Sequence, residues 1–154
     1  MRSLIECILK RDLVALQNGL ADGAHPDERD REGRKPLMNS TIENYIDAAR
    51  LLIETGAEVD AQDQLGNSAL HYAAQEHHAE MATLLITRGS ARVDVTDIHG
   101  NTPLGRAVFN SRGRGELISI LLSAGADRNR RNNHGKSPLD LAKAISNYDI
   151  ARFF

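Results

Sequence analysis

Glycine recurs along this chain in two interleaved series, each with a spacing of about 33 residues. The first series consists of Gly33, Gly66, Gly100 and Gly135, and the second consists of Gly23, Gly56, Gly89 and Gly125. Successive intervals are 33, 34 and 35 residues in the first series and 33, 33 and 36 in the second. A period of this length is typical of proteins built from stacked repeats, each of which is one small unit of secondary structure.

The residues after the first series predict a short helix in each repeat. Ser68, Thr102 and Ser137 each offer a hydroxyl N-cap, and Pro103 and Pro138 suit the first helical position. In the second repeat we predict helices over residues 70–76 and about 79–87, and we predict that Gly89 ends the second of them in a left-handed conformation. A polar turn then leads to Gly100, so the repeating unit is a turn, two helices and a loop.

The second repeat matches a known pattern. Its residues Asp63, Gly66, Ser68-Ala69-Leu70-His71, Ala73-Ala74, Leu84-Leu85 and Gly89 resemble the ankyrin repeat. Ala69 stands where that family usually has proline, and in the third repeat Gly105 stands where it usually has histidine. The resemblance implies an all-α fold, an ankyrin-repeat solenoid of stacked helix-turn-helix units with short finger loops.

The glycine register divides the chain into five parts. We expect an N-terminal capping helix pair over residues 1–29, repeats over 30–62, 63–96 and 97–131, and a C-terminal capping repeat over 132–154. Two residues are inserted between the helices of the third repeat, within 110–115, and one more is expected near Arg92 and Val93. The last part is short, so we expect its second helix to be shortened, with Phe153 and Phe154 sealing the apolar face.

Composition limits the class of protein and the cellular location that can be expected. Cys7 is the only cysteine, so no intramolecular disulfide can form, and we expect it to be a core residue. No apolar run approaches the roughly 20 residues that cross a bilayer. Glu6 and Lys10 also interrupt the apolar patch at the N-terminus, which argues against a secretory signal. We therefore expect a cytoplasmic protein without membrane association, and we expect a monomer.

We predict no enzymatic activity, no metal site and no cofactor. The sequence has no GxSxG segment, no Walker loop and no GxGxxG after a strand, and a short solenoid rarely forms a deep polar pocket. Of the six histidines, His71 occupies the position at which the ankyrin pattern has a structural histidine. His99 and His134 lie about one repeat apart, but two ligands do not make a zinc site. Turn chemistry explains the finger carboxylates, which are Asp30, Asp63 and Asp97.

The resemblance also implies a binding surface, because ankyrin-type arrays present finger tips and first helices on one concave side. We predict a non-enzymatic interaction module, such as an adaptor, an inhibitor or an immunity-type protein, that binds another protein there. The predicted contacts are exposed positions of the fingers and first helices: Arg34, Ile42, Leu65, Asn67, Gln75, Ile98, His99, Asn101, Phe109, Asn110, His134 and Lys136. Four of them are apolar, and Phe109 is the predicted hot spot.

Basic residues suggest an alternative function. Residues 1–77 carry 8 basic and 14 acidic side chains and residues 78–154 carry 11 and 7, so the net charge changes from −6 to +4. The late cations form a patch suited to nucleic acid or an acidic ligand: Arg106, Arg112, Arg114, Arg128, Arg130, Arg131 and Lys136. No aromatic residues interleave with them for base stacking, which argues against nucleic acid and favours an acidic protein.

Overall fold

The computed structural model describes residues 2–154, and this part of the chain contains nine α-helices, one 3-10 turn and no β-strand. The helices are α1 (Leu4–Leu9), α2 (Leu13–Ala21), α3 (Pro36–Ile42), α4 (Ile46–Glu54), α5 (Ala69–Glu76), α6 (Ala79–Thr87), α7 (Pro103–Phe109), α8 (Glu116–Ser123) and α9 (Pro138–Ala144), and the 3-10 turn spans Ala151–Phe153. The expected all-α fold is confirmed. The two helices predicted in the second repeat are α5 and α6, and their bounds agree with the prediction to within one residue.

The helices form two layers. The first helices of successive units (α1, α3, α5, α7 and α9) pack against one another in chain order, and the second helices (α2, α4, α6 and α8) do the same. The first-helix layer is the more closely packed of the two. Small side chains allow this close approach, since Ala73, Ala74 and Ala107 have no exposed surface. The arrangement is a helical solenoid in which each unit is stabilised by its neighbours.

Aliphatic side chains from both layers form one continuous core. Leu52, Leu85 and Leu121 occupy equivalent positions in three second helices, and each is completely buried. Cys7 is also in the core, as expected, with 2% of its surface exposed. Burial raises the pKa of the Cys7 thiol, which keeps it in the neutral form that packs like a small apolar residue.

Hydroxyl side chains cap the helices of the first-helix layer where the sequence predicts them. The hydroxyls of Ser68, Thr102 and Ser137 accept hydrogen bonds from the backbone N–H three residues later, at 3.4, 3.3 and 3.0 Å. Lys35 holds the same position before α3 and makes no such bond. Its buried ammonium instead pairs with Asp27 of the preceding unit at 3.4 Å and with Glu58 of its own unit, so this position carries ion pairs and no side-chain cap.

The end of α6 differs from the prediction. Gly23, Gly56 and Gly125 follow their second helices in the left-handed conformation, but after α6 that conformation is adopted by Ser90 and not by Gly89. The N–H of Ala91 correspondingly reaches six residues back to Leu85 O, whereas Ala57 reaches five back to Leu52 O. The extra residue therefore lies before Ser90 at the helix end, not near Arg92 and Val93. Gly89 is needed for space, because a Cβ there would lie 2.6 Å from Leu85 O.

The C-terminal segment packs against the loop between α7 and α8. This loop, residues 110–115, is the longest connection within a helix pair, as the inserted residues predict. A Cβ on Gly115 would lie 2.2 Å from the Phe153 ring, and one on Gly113 would lie 2.8 Å from Tyr148. Ile150 is completely buried, and Phe153 and Phe154 pack against the core, where a 3-10 turn stands in place of a second helix.

The same loop contains a buried hydroxyl whose removal should stabilise the protein. Ser111 is 1% exposed, and its Oγ has no hydrogen-bond partner within residues 2–154. Burying an unpaired hydroxyl is costly, so Ser111→Ala should raise the free energy of unfolding by about 1 kcal/mol, measured by urea denaturation. The matched control is Ser137→Ala, which removes a cap and should lower it by about 1 kcal/mol. A loss of stability in Ser111→Ala would contradict the unpaired assignment.

Candidate functional site

A side-chain carboxylate or amide builds the turn at each finger. We use finger for the segments 30–34, 63–67, 97–101 and 132–136. Oδ1 of Asp63 accepts hydrogen bonds from the N–H groups of Leu65 and Asn67, both at 2.9 Å. Asp30, Asp97 and Asn132 make the same pair of bonds in their own fingers. Turn chemistry therefore explains these finger carboxylates, as the sequence analysis predicts.

Backbone hydrogen bonds join each finger to the next. Gln64 N donates to Glu32 O at 3.2 Å, Ile98 N donates to Leu65 O at 3.0 Å, and Asn133 N donates to His99 O at 2.9 Å. The side chains of Gln64 and Asn133 add bonds to Arg31 O and Ile98 O, both at 3.0 Å, whereas those of Leu65 and Ile98 take no part in the connection. The four fingers consequently form one row along an edge of the solenoid.

Three of the four predicted apolar contacts are exposed. Leu65 and Ile98 are 57% and 52% exposed, and the bond between Ile98 N and Leu65 O makes them neighbours on adjacent fingers. Phe109, the last residue of α7, is 76% exposed, the largest value among the exposed large apolar side chains. Ile42 is only partly exposed, so full exposure was the wrong expectation for it. Exposed apolar side chains on neighbouring elements are typical of an interaction surface.

The predicted polar contacts differ in how available they are. His99, His134 and Lys136 have exposed side chains. Four others are partly buried, and protein groups hold their side chains: Arg34 by Asp30, Gln75 by Arg106, Asn101 by Asn132 and Asn110 by the Arg106 carbonyl. Exposure of Asn67 was predicted wrongly. It is 7% exposed, and its Oδ1 accepts from Arg106 Nη2 at 3.4 Å.

Arg106 is a structural cation. Its Nη2 and Nε lie 2.5 and 3.1 Å from Oδ2 of Asp97, whose side chain has no exposed surface. Burial alone would raise the pKa of Asp97, but bonds from Arg106 and from the finger N–H groups outweigh it and hold the pKa below 3.8. Arg106 was therefore wrongly included in the basic patch, because its charge is neutralised within the fold. The other patch members are exposed, and Arg131 lies 3.6 Å from Asp140.

His71 connects two units. Its Nδ1 accepts from Ser68 N at 3.1 Å, so the neutral ring carries its proton on Nε2 and donates to Asn101 O at 2.8 Å. Burial lowers the pKa of His71 below 6.5, and the hydrogen bond to Asn101 does not fully offset that effect. The structural role that the resemblance implies for this histidine is thus visible in the contacts.

A groove lies between α7 and α9 below the third and fourth fingers. It has a volume of about 340 Å³, and it is lined by His99, Asn101, Gly105, Arg106, Phe109, Asn132 and Leu141. Beside it, Gln75, Glu76, Asn110, Arg112 and Arg114 surround a second, polar hollow of about 320 Å³. Within residues 2–154, no three His, Cys, Asp or Glu side chains are grouped as a metal site would require. The fingers and first helices thus present a surface with shallow hollows.

Comparison with known proteins identifies the family. The family model for ankyrin repeats, which comprises three copies, matches residues 4–97 and residues 55–132. The chain belongs to the ankyrin-repeat family. Ankyrin repeats are generally protein–protein interaction modules and are typically non-enzymatic. No curated protein matches the chain. Within residues 2–154, none of the helices of this ankyrin-repeat protein combines the length and the apolar character needed to span a membrane.

The sequence did not predict two features of the site. The Asp97–Arg106–Asn67 contacts join residues of adjacent repeats, and the groove depends on Leu141 and Asn132 of the last unit. The sequence does contain a weak signal for the contact between Asp97 and Arg106. Asp30, Asp63 and Asp97 are each followed nine residues later by a side chain that bonds to the carboxylate: Asn39, Tyr72 and Arg106.

Proposed function

We propose that this ankyrin array is a non-enzymatic interaction module that binds a partner protein through the concave surface of its fingers and first helices. The observation that supports this most directly is the exposure of three apolar side chains: Leu65 and Ile98 on adjacent fingers, and Phe109 at the end of α7. Removing such side chains from water contributes roughly 25 cal/mol per Å² to association. An adaptor, an inhibitor or an immunity-type protein would each use a surface of this kind.

Further contacts would surround this apolar centre. Among the predicted residues, exposed His99, His134 and Lys136 supply polar groups at the rim, and Arg34, Ile42, Gln75, Asn101 and Asn110 are partly exposed. A polar rim around an apolar centre is the usual anatomy of a protein interface. Asn67 is left out because it is buried.

The test begins with affinity purification from the native host, and the partner identified by mass spectrometry is then purified. The double variant Leu65→Ala with Phe109→Ala should weaken its Kd at least about tenfold, because central aromatic and aliphatic contacts carry most interface energy. Thermal unfolding should change by less than about 2 °C, because both side chains are exposed.

The matched control is Val14→Ala. This side chain is 65% exposed but belongs to α2, in the second-helix layer and outside the proposed surface. It should leave the Kd unchanged. An equal loss of affinity in Val14→Ala, or a large loss of thermal stability in the double variant, would refute the proposed surface.

A nucleic acid or another acidic ligand is the second candidate. Arg112 and Arg130 support it, since both are exposed and neither forms an ion pair within residues 2–154. Binding of this kind should fall steeply with added salt, whereas an apolar contact should not. The measured salt dependence of the Kd therefore separates the two candidates.

A further inference from the structure

Gly105 lacks the usual reasons for a glycine. Its φ is not in the left-handed region, and it is the third residue of α7, where glycine weakens the helix. A Cβ at this position would meet only Thr102 Oγ1, at 3.8 Å, so no close neighbour requires its absence. Neither backbone conformation nor packing accounts for this residue.

The equivalent position in the second unit has a side chain that spans two units. His71, like Gly105, lies three residues after its N-cap, and its ring joins Ser68 N to Asn101 O. In the fourth unit Asp140 accepts from Ser137 N at 3.0 Å. Gly105 has no side chain to accept from Thr102 N or to donate to Lys136 O, the equivalent of Asn101 O. No side chain at position 105 fills the corresponding space in the third unit, where Lys136 O accepts from Asn132 N at 2.9 Å.

The unused space is a narrow cleft lined by Thr102, Gly105 and Lys136, and it adjoins a groove that opens to solvent. Gly105 lines the 340 Å³ groove described above, together with exposed Phe109 on α7 and partly buried Leu141 on α9. We call this groove the Gly105 slot. Its volume falls at the lower end of the range for ligand-binding pockets, about 300 Å³ and above. Ring and aliphatic walls favour a planar aromatic side chain, which contacts such groups in offset or edge-on geometry.

Positive charge surrounds the slot. Lys136 and Arg130 adjoin its deeper end, and Arg112 and Arg114 line the neighbouring hollow, where Glu76 is the only acidic residue. Asp97 already neutralises Arg106, and Arg112 and Arg130 have no ion-pair partner in residues 2–154. A partner segment with complementary charge would be acidic.

We propose that the Gly105 slot receives one aromatic side chain of an acidic segment of the partner protein. This inference rests on the proposed function and specifies the chemistry of the partner. The aromatic ring would lie in the groove against Gly105, beside the cleft that corresponds to the imidazole site of the second unit, and flanking carboxylates would face the unpaired arginines.

Two substitutions at one position separate binding from stability. Gly105→His should occupy the slot and restore the capping interaction, whereas Gly105→Ala removes the glycine from the helix and leaves most of the slot open. Both should raise Tm by about 2 °C or more relative to the natural protein. If position 105 were purely structural, a variant with a higher Tm would not lose binding. Loss of binding in Gly105→His, with binding kept in Gly105→Ala, would therefore show that filling the slot blocks the partner.

The probe is a phage-displayed library of random dodecapeptides selected on the immobilised natural protein. We expect the enriched peptides to combine one aromatic residue with several Asp or Glu residues. A synthetic enriched peptide should bind Gly105→Ala within threefold of the natural affinity and bind Gly105→His more than tenfold more weakly. Titration into the natural protein should also shift the backbone amide NMR signals of Gly105 and Leu141, a readout that requires no variant.

Four results would contradict the proposal that the Gly105 slot receives an aromatic side chain. These are no enrichment, enriched peptides without an aromatic residue, equal binding to Gly105→His, or unmoved Gly105 and Leu141 signals. With the native partner, Leu65→Ala together with Ile98→Ala leaves the slot intact. If that variant loses the partner and Gly105→His keeps it, the slot fails while the proposed function stands; if both keep it, the proposed function fails as well.

Discussion

Replacing Arg106 with alanine should lower the free energy of unfolding by about 3 kcal/mol. The substitution leaves the Asp97 carboxylate, whose side chain has no exposed surface, without its cation, and an uncompensated buried charge costs about 3–5 kcal/mol. The lower end of this cost is expected because the Arg106 side chain is 25% exposed, so water weakens the ion pair. Urea denaturation followed by circular dichroism gives the value.

The matched control is Arg131→Ala. Arg131 lies 3.6 Å from Asp140, but the two side chains are 69% and 40% exposed. Such a surface pair contributes less than about 1 kcal/mol. If Arg106→Ala were no more destabilising than Arg131→Ala, the Asp97–Arg106 pair would not be the structural contact described here.

The pH dependence of the same comparison is a second check. The folded protein holds the Asp97 pKa below 3.8, so the stability that this carboxylate contributes is fully present above that pH and is lost as the pH falls through the folded pKa. Once protonated, Asp97 no longer needs a cation. Removing Arg106 raises the folded pKa of Asp97, so the difference in stability between the natural protein and Arg106→Ala should shrink as the pH falls from the variant's pKa to the lower pKa of the natural protein. A difference that stays constant down to pH 2 would point to lost packing as its cause.

Gly66→Ala should be destabilising by about 3 kcal/mol. Gly66 has a φ of +76°, and its Cβ would lie 2.9 Å from both Asp97 Cα and Ile98 N in the next finger. The left-handed conformation costs an alanine about 1–2 kcal/mol, and overpacking against the rigid finger adds about 1–3 kcal/mol. Chemical denaturation measures the total, and amide exchange at Ile98 should report the weakened bond to Leu65 O.

Gly56→Ala measures the cost of the left-handed conformation without the cost of overpacking. Gly56 has a φ of +88°, but nothing lies within 4 Å of the position its Cβ would take. This variant should lose only about 1–2 kcal/mol and leave Ile98 exchange unchanged. Equal losses at Gly56 and Gly66 would mean that the fingers can move apart without cost.

The period of the sequence predicted the local structure well, because helix starts and ends depend on neighbouring residues. N-caps at Ser68, Thr102 and Ser137 follow directly from hydroxyl groups before helical segments. The prediction of a left-handed conformation at Gly89 was wrong for a local reason too. A glycine can satisfy either a conformational or a spatial need, and the sequence alone did not distinguish the two.

Contacts between units were harder to predict. Buried Asn67 accepts a hydrogen bond from Arg106, 39 positions later, and Asp97, which neutralises Arg106, lies nine positions before it. Whether a side chain at a finger points to solvent or to the next helix depends on the stacking distance, which the period does not specify. The exposure of Leu65, Ile98 and Phe109 was predicted correctly because their positions lie at tips and helix ends, where few neighbours are available.

The main-chain bonds between fingers have a consequence for redesign. Since the Ile98 N–H and the Leu65 carbonyl supply the connection, the side chains at positions 65 and 98 contribute little to holding the units together. Randomising these two positions should therefore change what the protein recognises while the scaffold keeps its melting temperature. The same separation would let natural variants acquire new partners through tip mutations alone.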